Sequence, residues 1–123
     1  MILELLKNDY SVYKYDTGYI VNENMLTDDF ISITKTIDEI SIIAKENKLR
    51  GFLAVESGWN VIKINCILDF GLMGILSKIS TLLANANISI FVISTFNTDY
   101  IMVKKDKVKN AIEILLKNGY EMK

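Results

Sequence analysis

The chain has no histidine, no proline and a single cysteine, Cys66, in 123 residues. Without histidine it lacks the commonest general base, the commonest zinc ligand and any Ser-His or Cys-His nucleophile pair. One cysteine allows neither an internal disulfide nor a thiolate metal cluster. A concentrated basic face is also missing: 14 basic and 15 acidic residues give a net charge of -1, and Lys104-Lys105 is the densest basic point. That is a poor footprint for nucleic acid. No apolar run approaches the ~18 residues of a membrane span. The start, "MILELLKNDY", carries Glu4 and lacks the basic onset and cleavage pattern of a signal peptide. These absences predict a soluble, cytoplasmic protein with no metal, cofactor, nucleic-acid or membrane partner. They also leave no candidate base for catalysis, so the chain is not expected to be an enzyme.

What is present suits a folded core. Half the residues are hydrophobic and 24% are charged, the balance of a globular chain. "WNVIKINCIL" (59–68) is β-rich. "GLMGILSKISTLLANANI" follows, with Leu72, Ile75, Ile79, Leu82, Leu83 and Ala86 at spacings of three and four, which predicts an amphipathic helix. Asp69 is placed to cap it, and Asn85 and Asn87 suit its end. "ISIFVISTF" (88–96) and "YIMVKK" (100–105) read as a hairpin turning at Asn97–Asp99. Asp106 is expected to cap a second helix with Val108, Ala111, Ile112, Leu115 and Leu116 on one stripe, stopped at Gly119; "YEMK" adds a short edge strand. The order is β-α-β-β-α-β, the split βαβ or ferredoxin-like unit.

The first half echoes this less completely. "YSVYKY" (10–15), "FISITKT" (30–36) and "ISIIAKE" (40–46) are strand-like, and the polar stretch between the first two holds at most one helical turn. Asp38 and Glu39 fall in the turn of the second and third. "FLAVESG" (52–58) runs toward the second half. No Pro/Gly/Ser-rich linker separates the halves. The fold class expected is α+β, two tandem ferredoxin-like units, 1–56 degenerate and 57–123 complete. Trp59 is expected as a buried anchor and Cys66 as an inert core residue. Strand propensity and interface chemistry account equally well for Tyr10, Tyr13, Tyr15 and Tyr19.

Asp69-Phe70-Gly71 spells the kinase letters D-F-G. A kinase also needs a Gly-rich phosphate loop, a histidine-led catalytic loop and two lobes, and none of these is here. A strand-to-helix turn explains Asp69 and Gly71. Gly74 fits that explanation less well, because glycine in a first helical turn costs ~1 kcal/mol relative to alanine. Bare backbone at a helix N-terminus also suits an anion. Near the next strand's end, Ser94, Thr95, Phe96 and Asp99 make a polar rim, where Asp99 suits an ammonium.

The motifs Leu68-Asp69-Phe70, Gly74-Ile75-Leu76, Ile88-Ser89-Ile90-Phe91 and Ile93 through Tyr100 resemble the ACT domain, from about Trp59 to Tyr120. More narrowly, the chain resembles small bacterial tandem ACT-like proteins, which are similar to the CASTOR arginine sensors and to aspartate kinase regulatory domains. That resemblance implies a non-catalytic regulatory module that pairs side by side, as a homodimer, and binds a free amino acid at an ACT–ACT interface. It places the ligand-binding residues at Asp69, Phe70, Gly71, Leu72, Met73, Gly74 and Ile75, with the ligand carboxylate on the backbone of 71–74. Ser89 and Ile90 would line the pocket across the interface, and Thr95, Phe96 and Asp99 would meet the rest of the ligand. A regulated enzyme or other protein is the implied partner. Relatives of this type often carry small hydroxyl residues where Gly71 and Met73 stand, which leaves a ligand-free pairing module as the alternative.

Overall fold

The computed structural model describes residues 2–65 and 74–123. The elements are β1 (Ile2–Leu5), β2 (Tyr10–Tyr15), a 3-10 turn (Glu23–Thr27), β3 (Ser32–Lys35), β4 (Ile40–Lys45), β5 (Ala54–Asn65), α1 (Ile75–Asn85), β6 (Ile90–Ser94), β7 (Asp99–Lys104), α2 (Val108–Lys117) and β8 (Glu121–Met122). The chain divides into two compact units, Met1–Lys7 with Trp59–Lys123, and Asn8–Gly58. β5 begins in the second of these and ends in the first.

In the larger unit the elements from β5 to β8 follow the β-α-β-β-α-β order read from the sequence. β5 pairs antiparallel with β7, and β7 with β6. On its other side β5 pairs antiparallel with β1, which pairs parallel with β8. The strand order is therefore β6-β7-β5-β1-β8. The split βαβ pattern alone would set β8 beside β5; here residues 2–5 stand between them. Leu3, opposite Ile64, is fully buried. Glu4 accepts a hydrogen bond from Asn65 Nδ2 at 3.1 Å and pairs with Lys123 at 3.8 Å. No strand at residues 2–5 was anticipated, because so short an apolar run carries no visible period.

Ile62 and Ile64 of β5, Ile101 and Val103 of β7, and Leu3 share a core with Ile79 and Leu83 of α1 and Ala111 and Leu115 of α2. The α1 stripe is as expected from Ile75 onward. In α2, Leu116 departs from its expected stripe: it is 48% exposed, and Ile114 packs on the core in its place. The N-cap of α2 is Lys107, not Asp106, and it makes no side-chain cap bond. Both helices end in the same motif. Asn87 (φ 60°) and Gly119 (φ 91°) take the left-handed conformation. Ile88 N–H then donates to Leu83 C=O at 2.9 Å, and Tyr120 N–H to Leu115 C=O at 3.1 Å, the 6→1 bonds of a Schellman cap.

The smaller unit is the reduced one. β2 pairs antiparallel with β4, and β4 with β3; β5 adjoins β2, and Leu53 N–H donates to Lys14 C=O at 2.7 Å. The first helix of the pattern has shrunk to the 3-10 turn, and no helix joins β4 to β5. Tyrosine fills the volume: Tyr13 and Tyr15 are buried with Met25, Ile40, Ile42, Ala44 and Leu49. The Tyr13 and Tyr15 hydroxyls donate to the Lys45 and Arg50 carbonyls at 2.7 and 2.8 Å. The Tyr15 and Tyr19 rings stack at 3.9 Å. These tyrosines are therefore core residues with satisfied hydroxyls.

Burial, and then the neighbouring Tyr19, push the Tyr15 phenol up to about 12. An unfolded tyrosine ionises near ~10. The native state thus holds its proton where the unfolded chain has lost it, so this contribution to stability is complete below pH ~10 and disappears as pH rises toward ~12. Urea midpoints between pH 9 and 11.5 are expected to fall more steeply for the wild type than for Tyr15→Phe. Equal slopes would show that Tyr15 carries none of the alkaline loss.

Candidate functional site

Of the residues expected to bind a ligand, Asp69, Phe70, Gly71, Leu72 and Met73 lie outside the described residues, as does Cys66. The rest are placed. Gly74 is the N-cap of α1 at φ 87°, ψ 4°, with no side-chain cap bond. A Cβ at Gly74 would meet nothing within 4 Å, so close packing does not require glycine there. The left-handed backbone does, since other residues pay a steric penalty of ~1–2 kcal/mol there. Gly74 C=O accepts the Lys78 N–H at 2.9 Å, the first bond of the helix. Having no side chain, Gly74 offers the N–H groups of the opening turn no acceptor of its own. Ile75 packs against the core.

The hairpin turn runs from Thr95 to Thr98, starting two residues and ending one residue earlier than the sequence suggested. Thr95 N–H donates to Thr98 C=O at 2.8 Å, and Thr98 N–H donates back to Thr95 Oγ1 at 3.2 Å. Thr98 Oγ1 donates to Ile64 C=O on β5, a tie that the sequence reading missed because its partner lies 34 residues away. Phe96 stands out at 95% exposure. Asp99 opens β7 opposite Ser94.

Ser89 is exposed just before β6, and Ile90 pairs with Val103. The five residues of β6 lie between Ser89 and Thr95, a separation of roughly 20 Å at ~3.3 Å per step. The 11 residues of α1 span roughly 17 Å at ~1.5 Å each. The Schellman cap joins the end of α1 tightly to the start of β6, so the helix runs back along that strand. Gly74 and the turn at 95–99 thus lie toward one end of the unit, and Ser89 and Ile90 toward the other. One copy cannot bring all four to one small ligand.

On the same sheet, Trp59 is buried, with the Lys104 ammonium 4.5 Å from its ring centre and Phe91 edge-on at 6.1 Å. It anchors as expected, although its Nε1 finds no hydrogen-bond acceptor. Among the described residues β6 pairs only with β7, and it exposes Phe91 (40%) and Val92 (37%). Among the described residues, no group of three or more acidic, Cys or His side chains could hold a metal ion. No described helix is long and apolar enough to cross a membrane.

No curated protein matches the chain significantly. Solved structures do. Protein Atu0741 from Agobacterium tumefaciens superposes with a TM-score of 0.90 at 25% identity, over 99% of this chain and 91% of that one. Protein VC0802 from Vibrio cholerae gives 0.72 at 21% identity, over 94% and 87%. The regulatory subunit of aspartate kinase from Thermus thermophilus gives 0.61 at 6% identity, over 89% and 92%; this is a likeness of fold. The ACT domain family matches residues 54–117, just over half of the chain and all of β5 through α2. The chain belongs to the ACT domain family.

Proposed function

We propose that this chain is a non-catalytic regulatory protein of the cytoplasm that binds a free amino acid at an interface between ACT units of two copies. ACT domains are generally regulatory and without catalysis of their own, and a regulatory subunit of aspartate kinase shares the fold. The observation that carries the proposal is the bare N-terminus of α1. Gly74 sits at φ 87° and supplies no side-chain cap, and a helix opening of this kind, with its first-turn N–H groups and positive end, suits a carboxylate. Asp99, half-buried at the start of β7, supplies the charge for the ammonium. In this proposal residues 57–123 are the ligand-bearing unit, with Asp69–Ile75, Thr95, Phe96 and Asp99 from one copy and Ser89 and Ile90 from the other. Residues 1–56, apart from β1, form the degenerate unit, and a regulated enzyme or other protein receives the signal.

A thermal-shift panel of the twenty amino acids at millimolar concentration tests it. One amino acid is expected to raise the melting temperature, by an amount equivalent to ~2.7 kcal/mol at a hundredfold excess over Kd. Asp99→Ala and Gly74→Val are each expected to abolish that shift. Silence across the whole panel would leave the second reading, a ligand-free pairing module. The exposed edge strand β6, with Phe91, Val92 and Phe96, favours that reading; it predicts a dimer whose sedimentation no amino acid changes.

A further inference from the structure

Beside that site, along the following turns of α1, the larger unit carries a groove with its own lining. It has a volume of about 360 Å³ and is lined by Ser77, Lys78, Thr81 and Leu82 of α1 and by Asn118 and Tyr120 beyond the end of α2. That volume lies at the low end of the ~300–1,000 Å³ of small-molecule pockets. The fold makes it in two steps. Ser77 and Thr81, and Lys78 and Leu82, are each one turn apart on α1, so the four form a patch. Across from them the Schellman cap at Gly119 turns the chain away from the axis of α2 and back to β8. Leu82 and Tyr120 both pack on the core beneath, which fixes an apolar floor.

The lining has one cation, three hydroxyls, one amide and no carboxylate. Among the described residues no acidic group pairs with Lys78. Asn118 Nδ2 donates one hydrogen to Ile114 C=O at 2.7 Å, which leaves Asn118 its oxygen as an acceptor and one further N–H as a donor. We infer that this groove is a second small-molecule site, taking a small monocarboxylate with a hydroxyl or amino substituent. The carboxylate meets Lys78 and the hydroxyls of Ser77 and Thr81, the short stem lies on Leu82 and Tyr120, and the polar substituent meets Asn118. One lysine balances a single negative charge, which disfavours phosphate.

Backbone amide NMR of the full chain tests it, with sodium lactate as the probe and sodium chloride at matched ionic strength as the control. Lactate is expected to move the Lys78, Thr81, Leu82 and Tyr120 resonances saturably. Lys78→Gln is expected to weaken this at least tenfold and Thr81→Val severalfold, while Asp99→Ala leaves it unchanged. Both variants replace exposed side chains, and the untouched resonances report that the fold persists. Equal shifts with chloride, wild-type affinity in Lys78→Gln, or tighter binding of inorganic phosphate would each overturn the assignment. Loss of the lactate shifts in Asp99→Ala would show that the groove is not separate from the site at Gly74.

Discussion

Leu3→Asp is expected to remove most of the protein's stability, and Leu3→Ala to cost ~2–5 kcal/mol. Leu3 is fully buried, stands opposite Ile64 and joins the core of the larger unit. Alanine leaves a cavity between the sheet and the helices. Aspartate adds an uncompensated buried charge, itself worth ~3–5 kcal/mol, against a total of ~5–15 kcal/mol for a domain. Ile2→Asp is the control, because Ile2 is 43% exposed and its change should stay within ~1 kcal/mol. Urea unfolding followed by Trp59 fluorescence reads all three. A Leu3→Asp variant as stable as Ile2→Asp would remove residue 3 from the core and with it the inserted strand.

Tyr15→Ala is expected to cost ~3–5 kcal/mol, as large aromatic truncations do, while Tyr15→Phe costs only ~1–2 kcal/mol. The difference separates ring from hydroxyl. The ring fills the core of the smaller unit and stacks on Tyr19, whereas the hydroxyl makes one bond, to Arg50 C=O. Losing that bond leaves one carbonyl short of a partner; losing the ring leaves a hole where the pattern's first helix has shrunk to a turn. Equal losses in the two variants would mean that the hydrogen bond, not the packing, holds this unit.

The contrast between the units explains what the sequence disclosed. α1 and α2 were legible because Ile79, Leu83, Ala111 and Leu115 repeat at helical spacing and all face one core. Gly119 and Asn87 were legible as helix ends because left-handed backbone selects few residue types. β1 was hidden: its meaning lies in its partners β5, about half the chain away, and β8, nearly the whole chain away in sequence. Asp106 misled because an acidic residue before an apolar stripe is a capping signal, but the helix starts two residues later. Gly74 was noticed as costly, and the left-handed N-cap gives the reason. The far ends of β6 show why the candidate site reads as a list in sequence but needs a second copy in space. The groove by Lys78 had no sequence signature, since Asn118 and Tyr120 of its lining come from a loop whose position only the α2 cap determines.

The insertion of β1 also bears on the order of assembly. Lys123 N–H donates to Leu3 C=O at 2.8 Å, and β8 pairs along β1. Residues 2–5 therefore wait for residues 121–123, far later in the chain, before their outer ladder can close. Contacts of such long sequence separation slow folding, because the chain's loop entropy must be spent before they form. A nascent chain lacking those residues would hold β1 with one bare edge, the state most open to pairing with another chain.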